Sequence, residues 1–388
     1  MIYFDNSATT KISDEALETY IRVSNEEFGN PSSLHAVGHA AEKRLNESRD
    51  ALRHALGAKG GEVIFTAGGT EANNLAIFGR AFSKERYIGK GKILTTEGEH
   101  ASVTVPLAKL KERGIRTVAI PTRGGVLDMD VLRREMTPDV ILVTMMMVNN
   151  ETGALYPLSD VAQVMRRQSP EAILHADATQ SFGKVPFTVR SIGADMVTVS
   201  SHKIEGPKGV GALFASDDVI KKRGLAAVTL GGGQEDGFRS GTENVPGIAA
   251  FGVACRLAEE HLAERAEHMS ALRTLLTETM SGDDLLRTVS LTLPPVHAPH
   301  ILNMTLPSVK SETMLHCLSA EGICESSGSA CSSHGHHASG ALLAYGRSEA
   351  EADTSVRVSF SHRNTSDEVL LFCDALKRGL MRLARIKK

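Results

Sequence analysis

The chain has 388 residues, 41% hydrophobic and 23% charged, and its 43 basic and 46 acidic side chains leave a formal net charge of −3. This is the profile of a folded α/β protein; it excludes a disordered chain and gives no bulk positive field for nucleic acid or an anionic membrane surface. No apolar run reaches the roughly 18 residues of a membrane span, and no basic-then-apolar leader follows Met1, so a cytoplasmic protein without a membrane partner is expected.

In chain order, Asp5-Asn-Ser-Ala-Thr-Thr10 is a polar turn and Ser13 an N-cap hydroxyl opening a helix with an acidic first turn. Gly29-Asn-Pro-Ser-Ser33 breaks that helix, and an amphipathic pattern follows from about Leu34 to Leu56. Short apolar runs then alternate with helical patterns: Glu62–Thr66, Lys92–Thr95, Arg116–Ile120, Val140–Thr144, Ala172–Ala176, Met196–Val199 and Val210–Phe214. That alternation predicts a mostly parallel sheet with helices on both faces, whose sites lie at the carboxyl ends of the strands. One long helical stretch is expected from about Pro246 to Met280. Beyond it lie strands near Arg287–Leu293, Ile301–Leu306 and Val356–Phe360, with helices at Glu312–Ala320 and Ser366–Arg385. The five cysteines, an odd set in a long chain, suit a reducing compartment.

Four polar turns at strand ends carry chemistry. Lys203 follows the strand ending at Ser200, flanked by His202 and by Gly206-Pro-Lys-Gly; it is either a surface lysine or a Schiff-base nucleophile made reactive by burial and cationic neighbours. Gly68-Gly-Thr-Glu71 joins a strand to a helix, as an anion cradle does, or as an ordinary helix start capped by Thr70 does. Asp177, just past an apolar strand, can cap a helix or hold a ring nitrogen protonated, and His100 can be a loop histidine or a flat group stacked on a ring. Together these are what pyridoxal phosphate needs: a carboxylate for its nitrogen, a planar side chain over its face, a phosphate cradle and a lysine for its aldehyde.

The motifs extend nearly end to end: Tyr3-Phe-Asp-Asn-Ser-Ala-Thr-Thr, Asn30-Pro-Ser-Ser, Gly68-Gly-Thr-Glu-Ala-Asn-Asn, Glu99-His, Val148-Asn-Asn-Glu-Thr-Gly, Asp177-Ala-Thr-Gln, Ser201-His-Lys-Ile-Glu-Gly-Pro-Lys-Gly, Gly231-Gly-Gly-Gln-Glu, Arg239-Ser-Gly-Thr-Glu-Asn and Ser327-Gly-Ser-Ala-Cys-Ser. In these the chain resembles the cysteine desulfurases of the NifS/IscS type, within the class V aminotransferases that use pyridoxal phosphate. The resemblance implies the fold type I architecture: a large cofactor-binding domain over residues 13–250, and a smaller α+β domain formed by residues 1–12 and 251–388. It implies that Lys203 bonds the cofactor aldehyde, Asp177 the pyridine nitrogen and Gln180 the phenolic oxygen. His100 would stack on the ring, while Thr70, Ser200 and His202 hold the phosphate and Thr242 reaches it from the other subunit of a homodimer. Asn150 and Arg357 would take the substrate carboxylate, for which a guanidinium fork is suited. Cys331 would be the nucleophile that takes sulfur from L-cysteine as a persulfide, leaves L-alanine, and passes the sulfur to an acceptor protein for iron–sulfur cluster assembly or tRNA thiolation.

Three departures accompany the resemblance: Asp236 stands where a basic residue is common, Ser359-Phe-Ser-His-Arg-Asn follows Arg357, and the Cys331 segment carries His334, His336 and His337. With Cys331, and Cys324 or Cys317, those histidines offer a rival metal-site reading, but their spacing fits no tight zinc pattern and a metal would block the thiolate, so no metal is expected. A selenocysteine lyase or related class V lyase is the enzymatic alternative, and a non-catalytic metal-binding module the other.

Overall fold

Strands built from aliphatic and β-branched residues alternate with helices along most of the chain; in this computed structural model, residues 1–327 and 338–386 are described. From the N terminus come β1 (Ile2–Tyr3), α1 (Asp14–Glu26), α2 (Ala36–Ala55), β2 (Glu62–Thr66), α3 (Gly69–Phe82), β3 (Lys92–Thr96), α4 (Ala101–Glu112), β4 (Arg116–Ile120) and α5 (Met129–Glu135). Next are β5 (Val140–Met146), α6 (Leu158–Gln168), β6 (Ile173–Asp177), α7 (Val189–Ile192), β7 (Met196–Ser200), β8 (Gly211–Ala215), α8 (Asp217–Lys221) and α9 (Val245–Glu260). The remainder comprises α10 (Leu262–Gly282), β9 (Ser290–Thr292), β10 (Ile301–Thr305), α11 (Ser311–Ala320), β11 (Ile323–Cys324), α12 (Gly340–Tyr345), α13 (Glu349–Asp353), β12 (Ser355–Ser359) and α14 (Ser366–Ile386).

The main sheet has seven strands in the order β2-β8-β7-β6-β5-β3-β4, and among them β8 alone runs against its neighbours. Every residue of β3, β5, β6, β7 and β8 is buried, as expected of strands covered on both faces. One core on this sheet gathers Leu52, Val143, Val197 and Phe251; the core on its other face gathers Ile77, Ile93, Leu107 and Leu213. Because β2, β3, β6 and β7 point the same way, the turns holding Gly68, His100, Asp177 and Lys203 emerge along one edge of the sheet.

A third core surrounds the antiparallel sheet β12-β10-β9 and includes Leu272, Met304, Val358 and Phe372. The N terminus belongs to it. Phe4 meets Phe360 and Phe372 edge to face at 5.4 and 5.7 Å, while β1 pairs in parallel with β11. Leaving that anchor, residues 5–10 cross to the carboxyl edge of the main sheet. The expected single helix over 246–280 is instead two helices, with His261 closing α9 and opening α10. Strands β1 and β11, two residues each, are too short to show the alternation that betrays a strand.

Candidate active site

Strand β7 ends at Ser200 and the chain turns at once through a single 3-10 turn, Ser201–Lys203. Thr10 fastens that turn: its N–H and its hydroxyl each donate to the His202 carbonyl at 2.9 Å, and its hydroxyl oxygen accepts the Glu205 N–H at 2.8 Å. Glu205 sits at φ +66°, a strained conformation for a residue with a side chain, and its carboxylate is gripped by Arg363 at 2.7 Å and Arg265 at 3.4 Å. The result is a fixed platform for Lys203, whose ammonium nitrogen donates to the carbonyls of Ser7 at 2.5 Å and Ala8 at 2.8 Å.

Opposite stands Asp177 at the end of β6, 6% exposed. Its Oδ1 accepts the Thr179 N–H at 3.0 Å and its Oδ2 the Asn73 amide at 2.7 Å. Asn73 also donates to the Ser102 hydroxyl at 2.8 Å, and Ser102 meets His100 Nδ1 at 2.8 Å, so one hydrogen-bonded chain runs from carboxylate to imidazole. His100 Nδ1 accepts the Ser102 N–H, which leaves the ring proton on Nε2, and burial holds the imidazole below its usual pKa. A neutral, flat ring is thereby presented. Beneath Asp177, His175 spans Thr144 and Thr198 at 2.8 and 2.9 Å, and burial pushes its pKa down to about 4.

At the other end, the 14-residue helix α3 points its N-terminal amides into the site behind Gly68 and Gly69. A Cβ on Gly69 would come within 3.1 Å of the Thr179 hydroxyl, and one on Gly211 within 2.5 Å of the Gly68 carbonyl carbon, so glycine is what lets strand and helix start approach. His202 binds the Thr9 hydroxyl at 3.1 Å; burial first, then Lys203, Lys208 and Lys184, push its pKa down to about 4. Arg357, on β12, donates to the Asn150 carbonyl at 2.8 Å and to Asp5 at 2.9 Å.

Thr70, His100, Asn150, Asp177, Gln180, Ser200, His202, Lys203 and Arg357 all line one cavity of about 220 Å³. Thr242 does not line it; this residue faces a separate hollow with Phe65, Glu235 and Arg239. Cys331 and the histidines His334, His336 and His337 lie outside the described residues. Sequence reasoning missed Asn73 and Ser102, although Asn73 lies in the quoted Gly68 motif, one helical turn beyond Gly69, where it faces back into the site. It also missed the carbonyls of Ser7 and Ala8, which no side-chain pattern can signal. The departure after Arg357 leaves β12 regular to Ser359, whose hydroxyl accepts the Ser7 N–H at 2.8 Å and so ties this strand to the crossing N-terminal segment.

The chain matches the aminotransferase class-V family model over residues 2–372. The chain belongs to the class-V aminotransferase family. Cysteine desulfurase IscS 1 of Archaeoglobus fulgidus is 35% identical, with 99% of this chain and 98% of that protein covered. A solved NifS-like protein superposes with a TM-score of 0.89 at 32% identity, covering 99% of each chain. A structure of SspA in complex with cysteine superposes with a TM-score of 0.78 at 29% identity, covering 94% of this chain and 100% of that one. These likenesses establish the fold type I architecture, and the family works with pyridoxal phosphate.

The residues present fit that cofactor. Around the cavity, the buried Gln180 Oε1 and Ser7 Oγ have no hydrogen-bond partner among the described residues, as polar atoms awaiting a ligand would. Gln180 Nε2 gives one N–H to the Ser7 carbonyl at 2.9 Å and keeps a second for a phenolic oxygen. The donor set is equally apt: a carboxylate, a neutral imidazole, a glycine cradle at a helix start, and a lysine.

Proposed function

We propose that the protein is a pyridoxal-phosphate-dependent cysteine desulfurase, which converts L-cysteine to L-alanine and carries the released sulfur on Cys331. The convergence of Lys203, Asp177 and Arg357 on a single cavity is the observation that carries this reading, because it puts an amine, a carboxylate and a guanidinium fork around one small substrate. Lys203 would hold the cofactor through its aldehyde carbon, with Asp177 at the ring nitrogen, Gln180 at the phenolic oxygen and His100 over the ring. Thr70, Ser200, His202 and the α3 N-terminus would hold the phosphate. When bound, the cofactor supplies an electron sink for the negative charge left on the substrate α-carbon.

The remaining work falls to the chain itself. Arg357, already oriented by Asp5 and by the Asn150 carbonyl, receives the substrate carboxylate through its fork, beside Asn150. Lys203, when its amine is free, would take the α-proton, and the Ser7 and Ala8 carbonyls would hold its ammonium form near the site. The Cys331 thiolate attacks the substrate sulfur: an S–S bond forms and the C–S bond breaks, with its electron pair left on carbon. A proton delivered to that β-carbon, and return of a proton from Lys203 to the α-carbon, give alanine.

Two further features extend the proposal. A homodimer fits the apolar side chains left exposed on and around α1 and α2, among them Ile21, Phe28 and Leu34, and on the loop with Leu230. Thr242 of one protomer would then complete the phosphate site of its partner. The persulfide would pass to an acceptor protein serving iron–sulfur cluster assembly or tRNA thiolation, in a reducing cytoplasm that suits the unpaired Cys255, Cys317, Cys324 and Cys373. No helix among the described residues is long and apolar enough to cross a membrane.

Borohydride reduction of the purified protein tests the reading directly. Expected is a yellow preparation that bleaches and fixes the cofactor mass on the peptide containing Lys203, and that forms alanine from L-cysteine before reduction. A colourless protein that makes no alanine after incubation with pyridoxal phosphate would refute it.

A further inference from the structure

Lys203 also lines a second, small cavity of about 30 Å³, together with Thr10, Lys184, Glu205 and Arg265 among others. It has room for about one water molecule. Lys184 is 6% exposed, and its ammonium nitrogen has no hydrogen-bond partner among the described residues. A lysine this deep is rare unless paired, because desolvation penalises its charge. Burial first, and then the charge of Lys203, push its pKa down to about 7. It reaches this position because Gly183, at φ +70°, turns the chain beneath Ile204 just before it.

We infer that Lys184 is a positioning residue for the reaction, whose buried charge near Lys203 disfavours a proton on the Lys203 nitrogen. This rests on the desulfurase reading, in which that nitrogen bonds the cofactor and, once freed, must be an unprotonated base. Two like charges lining one small cavity each lower the other's proton affinity, and a cationic neighbour is a general way to activate a lysine nucleophile. Other groups face the pair as well. Asp5, His100, His202 and His300 interact with Lys203, while Glu205, Arg357, His202 and His300 interact with Lys184. Glu205 pulls the Lys184 pKa part of the way back up, but its carboxylate is bonded to Arg363 and Arg265, and that of Asp5 to Arg357, so neither forms an ion pair with Lys184. One water in the small cavity can hydrogen-bond Lys184 without cancelling its charge.

The test is a pH titration of the visible absorbance of the lysine–cofactor bond in holoenzyme, comparing wild type with Lys184→Met and Lys184→Arg. Removing the charge is expected to raise the midpoint by about one pH unit, the scale of a nearby like charge, and to move the acid limb of kcat/KM upward with it. The arginine variant, which keeps the charge, is expected to titrate near wild type. A methionine variant titrating at the wild-type midpoint would overturn the inference, as would an arginine variant titrating with methionine, since that assigns the shift to shape. Should the methionine variant not fold, Lys184→Gln carries the same expectation and the same refutation. A wild type lacking the absorbance band would instead bring down the desulfurase reading, and this inference with it.

Discussion

Arg357 is held 2.9 Å from Asp5, a residue 352 positions earlier in the sequence, with the guanidinium side chain 2% exposed. The N-terminal segment thus completes the Arg357 end of a cavity whose other parts come mostly from the middle of the chain. Burial raises the Asp5 carboxyl's pKa while Arg357 pulls it down, so each group's charge leans on the other. Arg357→Lys keeps a charge but loses the fork, and is expected to lower kcat/KM for L-cysteine by about 10- to 100-fold, mostly through KM, the scale of one or two charge-assisted hydrogen bonds. Asp5→Asn should do the same more weakly. Steady-state kinetics with the visible absorbance monitored in parallel check that the cofactor stays bound.

The Asn73–Asp177 contact makes a second expectation. Asp177→Asn should retain cofactor but lose at least about 100-fold in turnover, because the electron sink depends on a protonated ring nitrogen. Asn73→Ala removes the amide between Asp177 and Ser102, and should cost about tenfold in turnover and about 1–3 kcal/mol of stability from the partners left unpaired. Alanine formation and thermal unfolding measure the two effects separately.

Gly211→Ala probes the phosphate end without touching a polar group. Its Cβ would sit 2.5 Å from the Gly68 carbonyl carbon and 2.9 Å from the Gly69 nitrogen, so backbone must move. The variant is expected to lose about 1–3 kcal/mol of stability and to bind pyridoxal phosphate at least about tenfold more weakly, read by titrating apoenzyme with cofactor.

Glu99 supplies a pH expectation. Its carboxyl is buried, accepts the Thr96 hydroxyl at 2.6 Å and the Met146 N–H at 2.9 Å, and burial raises its pKa to about 8. A folded-state pKa above the unfolded one means that the folded state holds the extra proton, so this contribution is present below about 4.5 and is lost as pH rises towards 8. Glu99→Gln is neutral at every pH. The stability of wild type relative to this variant should therefore fall between pH 5 and 8, by at most about 1.4 kcal/mol per pH unit, in denaturant titrations at several pH values.

Much of this was legible in the sequence. The seven strands of the main sheet follow apolar runs bounded by polar turns, and parallel topology sends those turns to one edge, which is why Thr70, His100, Asp177 and Lys203 group together on sequence grounds alone. The antiparallel course of β8 was not legible, since a short apolar strand reads the same in either direction. Nor were Asp5 and the carbonyls of Ser7 and Ala8: their place depends on Phe4 docking between Phe360 and Phe372, a contact between opposite ends of the chain. Lys184 gave no signal because a lysine in a polar turn reads as solvated until its burial is seen.

The most direct measurement is the intact mass of the holoenzyme after brief exposure to L-cysteine, with alanine counted in the same sample. One added sulfur on Cys331, removable by a thiol reductant and matched by alanine, is expected, with Cys331→Ala forming neither. Full alanine production by Cys331→Ala would contradict the persulfide route and point to a lyase that releases sulfur directly.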